Sequence, residues 1–271
     1  MPVLVIAAHR PLARGLAVRL LDEGGEVRAV ASDEVGGLRA HGIHVASADA
    51  DDVGRIEAAA TRVHTIVHLV GGIDGGTPER LVAEGTAVVR AAEGAGVRRL
   101  VLVTVAGASA EAADPVRRAH AAVEALAHPA AVPSVVVRSP LVDTPRLRAL
   151  LRGLGADERV AERELPIVGA VDLVELVVAL DRARSSAREG HLVLAAPAPM
   201  AVPFTALAAG ARLGARVLPA SERDALLDVL AGGWSDPEPD LPDAWRLLGV
   251  APTPVDPSVE PAPLAGPGVG R

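Results

Sequence analysis

The strongest constraint on this chain is a change of hydrophobic period that recurs through its first half. Short runs rich in Val, Ile and Leu occur at residues 3–6, 26–31, 63–70, 99–104 and 134–138. Between several of them lie segments with helical spacing: Leu12, Leu16, Val18, Leu20 and Leu21 mark one face, Leu81, Val88, Val89 and Ala92 a second, Val116, Ala119, Val123 and Leu126 a third. Pro11 and Pro78 stand where a first helical turn accepts proline, and Gly24-Gly25 and Gly94/Gly96 where helices stop. Such alternation predicts crossover units on a parallel sheet covered on both faces. The expected fold is α/β, with a Rossmann-type doubly wound domain over residues 1–140.

The second half is mixed. Residues 172–180 read as a helix, 191–195 as a short strand and 203–213 as a helix. Further helices are expected at 222–230 and 242–248, with Trp234 and Trp245 at or near their ends. These pieces suggest a small substrate-type domain over 141–250, interleaved with the first. From Ala251 onward, six prolines and three glycines in 21 residues leave no period, and a disordered tail over 251–271 is expected. No internal repeat is visible.

Composition removes several chemistries. The 271 residues include no Tyr, Lys, Asn, Gln or Cys, so all 27 basic residues are arginine. There is no thiol nucleophile, disulfide or thiolate metal site, no Schiff-base or Walker lysine, and no tyrosine acid or base. A GC-rich coding sequence also drifts in this direction, but the chemical consequence is the same. The net charge of −7, with no basic cluster against it, excludes a nucleic-acid footprint. The richest apolar stretch, 165–180, carries Asp172 and Glu175 and falls short of the roughly 20 residues of a membrane span. The sequence opens on Pro2-Val3-Leu4-Val5-Ile6 with no basic leader, so a cytoplasmic location is expected.

The order of the pieces resembles the short-chain dehydrogenase/reductase superfamily in its extended or atypical branch, which includes NAD-dependent epimerase/dehydratases and NmrA-like proteins. Residues 20–29, Leu-Leu-Asp-Glu-Gly-Gly-Glu-Val-Arg-Ala, look like the family's first helix entering its second strand. Ala48-Asp49 stands where the family has Gly-Asp, and Thr65-Ile66-Val67-His68-Leu69 resembles strand four. Glu84-Gly85-Thr86, Ala91-Ala92, Gly96-Val97-Arg98-Arg99 and residues 100–103 look like the helix leading into strand five. Arg138-Ser139-Pro140-Leu141-Val142 is similar to the Arg-Pro-containing strand six, and Val168, Asp172 and residues 191–213 to the small substrate domain. The likeness covers about residues 1–220 and argues for fold; function is argued from sites.

At the sites the chain departs from that pattern. The family's phosphate loop uses three glycines, for a tight turn, for close approach of the pyrophosphate and for helix packing. Their places hold Ala7, Arg10 and Ala13. Ala13 is small enough to pack, and Ala7 is tolerable only with φ below zero. Arg10 occupies the ground a pyrophosphate would cover. It either binds an anion itself beside the helix start at Pro11 or is a solvated residue blocking the site, and the second is the expectation. Strand two ends Val30-Ala31-Ser32, with Asp33 two residues beyond the family's acidic position. Asp49 suits either an adenine amino group or a solvated turn. Gly71-Gly72 and Gly75-Gly76 suit either a phosphate cradle or a plain loop, and the loop is expected.

The family's catalytic Tyr and Lys fall in register on Val116 and His120, its serine on the stretch containing Thr104, and its asparagine has no counterpart. The resemblance therefore implies loss of the family's proton relay. If the chain is an enzyme, His120, Thr104 and Asp143 are the candidate acid/base set, against the plainer reading of His120 as a buried histidine bonded to backbone. His41/His44 and His64/His68 lack a third ligand, and no metal is expected. No cofactor is expected either, with NAD(P) as the alternative. The leading expectation is a pseudoenzyme: a non-redox binding, regulatory or partner-subunit protein for a small molecule or protein. A homodimer, or a heterodimer with a subunit of the same superfamily, would form through the helices at 78–93 and 115–128. The alternatives are a cofactor-independent isomerase, dehydratase or cyclase, and a weak NAD(P)-dependent oxidoreductase or epimerase.

Overall fold

The computed structural model describes residues 1–33, 35–71, 77–155, 157–183, 190–209, 223, 226–227, 230, 238, 240–261 and 264. Each apolar run becomes a strand and each proline-led segment a helix. The first half reads β1 (Val3–Val5), α1 (Pro11–Asp22), β2 (Val27–Ala31), α2 (Val35–Ala40), β3 (His44–Ser47), α3 (Val53–Ala60) and β4 (Thr65–Leu69). It continues with α4 (Pro78–Ala95), β5 (Arg99–Val105), α5 (Pro115–Ala127) and β6 (Ser134–Ser139). Then follow β7 (Leu141–Asp143), α6 (Pro145–Leu154), β8 (Glu164–Gly169), α7 (Ala170–Arg182), β9 (His191–Ala195), β10 (Met200–Pro203), α8 (Phe204–Ala209) and α9 (Ala244–Leu248). The rest of the helix expected to 213 and most of the one expected at 222–230 lie outside the described residues.

The strands form a seven-stranded sheet, β3-β2-β1-β4-β5-β6-β9, in which every pair is parallel. This is the Rossmann-type doubly wound sheet expected from the alternation. A second sheet, β10-β8-β7, is mixed: β7 and β8 are parallel and β10 is antiparallel. The chain leaves the large sheet after β6 and returns to it at β9, which pairs with β6.

Period-two alternation sorts the strand side chains into two layers. Val3, Val5, Val67, Val101, Val103, Val135 and Val137 pack with α1, α7 and Trp245 of α9. Leu4, Ile66, Leu100, Leu102 and Val136 pack with α3, α4 and α5. A third core joins the small sheet to α6 and α8 through Leu147, Leu151, Ile167 and Phe204. Tail residues 251–260 form no helix or strand, as their prolines imply, but they are tied to the body. The Thr253 N–H donates to Asp172 (2.8 Å), and Arg148 donates to the carbonyls of Pro257 (2.9 Å) and Asp256 (3.2 Å).

Helices α4 and α5 approach closely because Gly85 has no side chain: a Cβ there would stand 2.5 Å from Val123 Cγ2. Gly85→Ala therefore lowers stability by about 1–3 kcal/mol, the cost of overpacking a filled core. Adding Val123→Ala recovers part of the loss; urea midpoints of the single and double variants measure both.

Candidate functional site

In an open α/β sheet, ligands bind at the carboxyl ends of the strands where the strand order reverses. Here that point lies between β1 and β4. Two loops meet there, the turn from β1 into α1 and the end of β4 at Gly71.

The β1–α1 turn is clamped by backbone bonds on both sides. The Ile6 N–H donates to Val67 O (3.0 Å), the Ala8 N–H to Val30 O (2.9 Å), and the Arg10 N–H closes the turn on Ala7 O (2.9 Å). Ala7 stands at φ 55°, against the expectation of a negative value. The clamped turn demands the left-handed conformation that glycine supplies without cost, and alanine accepts it under strain. Ala13 is buried in the first turn of α1. Where α3, α4, α5 and α6 start with side-chain caps from Asp52, Thr77, Asp114 and Thr144, α1 starts at Arg10 with none. Its first N–H groups thus lack a side-chain acceptor.

Arg10 is not the solvated residue expected from sequence. Its Nη2 donates to both oxygens of Glu84, at 2.7 Å each, and its side chain is only 18% exposed. Glu84 is buried on α4 and also accepts from Arg80 Nε at 2.9 Å. Burial alone would raise the Glu84 pKa, but Arg10 first and then Arg80 outweigh it and hold the carboxyl below its ordinary range. Arg10 Nη1 is buried without a hydrogen-bond partner among the described residues. Gly71 forms the adjoining wall: a Cβ there would meet Leu81 Cδ2 at 2.9 Å and Arg10 Nη1 at 3.4 Å.

Behind this wall lie two buried histidines, His68 on β4 and His120 on α5. Neither ring nitrogen of His68 has a partner among the described residues, and His120 lies against the Gly71 backbone, with which it interacts. Desolvation pushes His68 down to about 3, helped by the Arg10 charge and opposed by Glu84. Desolvation also pushes His120 down to about 4, with the nearby Gly71 backbone opposing it. Both imidazoles are neutral at physiological pH.

The structure gives Thr104 and Asp143 separate partners. Thr104 donates to Glu124 (2.6 Å), which is itself held by Arg138 Nη2 (2.7 Å). Asp143 forms a buried two-point pair with Arg148 (2.8 and 2.7 Å). Asp33 is exposed and accepts only a long bond from Ser32 Oγ (3.4 Å). Ser32 lies equally far from His9 Nδ1. Asp49 is exposed, and its charge favours the protonated form of Arg80. Of residues 71–76 only Gly71 is described. Among the described residues no group of three His, Asp or Glu is placed to hold a metal.

Glu84, Glu124 and Arg148 were missed from sequence as site residues, yet each carried a signal. Glu84 lies on the stripe of Leu81 and Val88, Glu124 beside Val123 and Ala127, and Arg148 among Leu147, Leu150 and Leu151. An ionisable group on the apolar side of a helix is rarely buried unless paired.

Two measurements follow. Ala7→Gly raises stability by about 1 kcal/mol, because the left-handed turn no longer carries a Cβ, and chemical denaturation reads this. The buried histidines set an acid limit. Unfolded histidine binds a proton below about pH 6.5 while the folded His120 and His68 wait until about 4 and 3. Each therefore removes about 1.4 kcal/mol of stability per pH unit as pH falls through that window. His120→Phe flattens the fall between pH 6.5 and 4 relative to the wild type.

Comparison with known proteins accords with this geometry. Residues 7–140 match a family described as NAD(P)H-binding. A comparison with curated proteins finds no significant match. Among solved structures the chain is similar to the Citrobacter sp. triphenylmethane reductase complexed with NADP(H), at TM-score 0.74 and 17% identity, covering 96% of this chain and 99% of that one. It is also similar to an NADPH-dependent quinone oxidoreductase from Escherichia coli complexed with NADPH (0.72, 16%, 95% and 97%). A nucleoside-diphosphate-sugar epimerase from Staphylococcus aureus is a third (0.73, 13%, 95% and 98%). At these identities the structural likeness is one of fold.

The expectation that the chain takes no cofactor is thereby corrected: the matching domain and the neighbours solved with NADP(H) or NADPH point to a nicotinamide dinucleotide. The reason the sequence misled is visible in the turn. Replacing glycine at position 7 did not abolish the left-handed conformation, and replacing it at position 10 left the α1 N-terminus uncapped by any side chain. The orphaned Arg10 Nη1 and the Cβ-free face of Gly71 complete a surface that suits an anionic ligand. Residues 7–140 match the NAD(P)H-binding family, and the chain as a whole shares the fold of the reductase, oxidoreductase and epimerase structures above.

Proposed function

We propose that this chain binds a nicotinamide dinucleotide but does not run the superfamily's proton relay, and that it serves as a binding or regulatory protein or as the partner subunit of an active enzyme. The observation that carries this reading is the α5 wall. The superfamily places Tyr and Lys one helical turn apart, and here Val116 and a wholly buried, neutral His120 stand there. Neither side chain exchanges a proton with a bound substrate oxygen at neutral pH. The Thr104 hydroxyl, the one remnant of the set, is committed to Glu124.

The residues that would hold the dinucleotide are the Ala7 turn, the backbone N–H groups of Leu12 and Ala13 at the start of α1, and the Gly71 wall. When bound, the cofactor supplies hydride chemistry; the protein supplies the binding surface and its shape. The Thr104 and Asp143 pairings also weaken a cofactor-free isomerase, dehydratase or cyclase, since that reading requires both side chains to act with His120. Assembly through α4 and α5 fits the partner-subunit reading, because Leu126 of α5 stays exposed.

A second reading is hydride transfer to an acceptor that needs no proton from the protein. Two neighbours named as a triphenylmethane reductase and a quinone oxidoreductase favour it. A cationic dye carbon accepts hydride alone, and a quinone that has accepted hydride takes one proton from water.

Calorimetric titration with NADPH and NADH, followed by absorbance assays of NADPH consumption, tests both readings. Saturable binding without turnover of a nucleotide sugar, a quinone or a triphenylmethane dye is the expected result. Turnover of the dye or the quinone replaces the first reading with the second, and absence of binding to both dinucleotides overturns both.

A further inference from the structure

We propose that Arg10 is the pyrophosphate-binding side chain of this cradle and that Glu84 is the carboxylate that positions it; the assignment rests on the dinucleotide reading above. In the superfamily's loop this place belongs to a glycine, so the role is particular to this chain. Three observations lead to it.

The first is geometric. Arg10 is the residue at which α1 begins, so its side chain starts from the uncapped N-terminus of that helix. The guanidinium is anchored, since Nη2 meets both oxygens of Glu84 at 2.7 Å. A planar guanidinium fixed through one nitrogen has its remaining donors fixed too. Nη1 is thereby held buried, without a partner among the described residues, beside the Gly71 wall.

The second is an imbalance of donors and acceptors. Glu84 supplies the carboxylate here, and its oxygens already take Arg10 Nη2 and Arg80 Nε. Left over is Arg10 Nη1, a buried charged donor without a partner among the described residues. A buried charged donor is costly unless an acceptor reaches it. A pyrophosphate, rich in acceptor oxygens and negatively charged, meets that need better than a neutral or cationic group.

The third is the cost of the anchor. Burying Glu84 between two arginines is weak as a device for stability, because desolvation offsets most of the attraction. It makes sense as a means of aiming Arg10. Arg80 is half exposed and has Asp49 and Asp51 near it, so its charge is balanced from the solvent side. Of these two arginines, Arg10 is the one with a buried nitrogen that has no partner among the described residues.

The test compares the wild type with Arg10→Gly, Arg10→Lys and Glu84→Gln, measuring NADPH affinity by calorimetry at several NaCl concentrations, adenosine affinity in parallel, and Tm for folding. Loss of a charge-assisted bond weakens NADPH binding roughly tenfold or more in both Arg10 variants. Lysine fails to rescue because one ammonium does not bridge Glu84 and a phosphate at once. Glu84→Gln weakens binding several-fold, and the salt dependence of NADPH affinity flattens in Arg10→Gly. Adenosine, which has no phosphate, binds all four proteins alike. Arg10→Gly that binds NADPH as tightly as the wild type, or more tightly, makes the arginine a bystander or an obstruction and overturns the assignment while leaving the dinucleotide reading intact. Equal losses for adenosine and NADPH overturn it too, by showing a general collapse of the site. A wild type that binds no dinucleotide takes down both.

Discussion

The parallel ladder on both sides of β1 is the constraint from which the site descends. Only Val3–Val5 form the strand, yet every residue in it is buried and it is bonded to β2 on one side and β4 on the other. Ile6 and Ala8 extend those bonds past its end, to Val67 and Val30. The chain must therefore turn away from the sheet over a fixed span, and Ala7 is driven into a left-handed conformation to do it. The turn delivers α1 with its N-terminus at the one place where the strand order reverses. The proposed ligand edge therefore rests on sheet topology, with all three glycines that usually shape it replaced by Ala7, Arg10 and Ala13.

Charge burial then sets the character of that edge. Among the described residues, arginine–carboxylate pairs that lie wholly or largely inside the molecule include Arg10 with Glu84, Arg138 with Glu124 and Arg148 with Asp143. In a chain without lysine, every buried cation is a guanidinium that stays charged at any working pH. These three pairs each fix how two elements meet. Arg10–Glu84 ties the start of α1 to α4 across the sheet edge, Arg138–Glu124 ties β6 to α5, and Arg148–Asp143 ties α6 to β7 while its remaining donors hold the tail. The same pairs engage the Thr104 hydroxyl and the Asp143 carboxylate.

Much of the architecture was legible in the sequence because it rests on local periodicity. Apolar runs at alternating spacing became strands within a residue or two of their expected ends, and Pro11, Pro78 and Pro115 each opened a helix. Gly96 ended α4 in the left-handed conformation that glycine allows. The site was less legible. Glycine loss at positions 7 and 10 read as loss of a cofactor loop, since a residue type was taken to report a backbone conformation. The surrounding ladder enforces that conformation on alanine, at a cost of about 1 kcal/mol that the rest of the fold absorbs.

The sequence by itself determined the doubly wound α/β class, the approximate places of the five strands read as apolar runs in the first half and the absence of a Tyr–Lys relay, since these depend on residue type and on neighbours a few positions away. Tertiary structure decided where each ionisable side chain finds its partner. Arg10 and Glu84 are far apart in the chain and come together across the sheet edge only once β1, α1 and α4 are packed. Pairing of buried charges is a long-range property of the folded chain, with no period along the sequence to announce it, and that pairing gives the ligand edge its free guanidinium nitrogen.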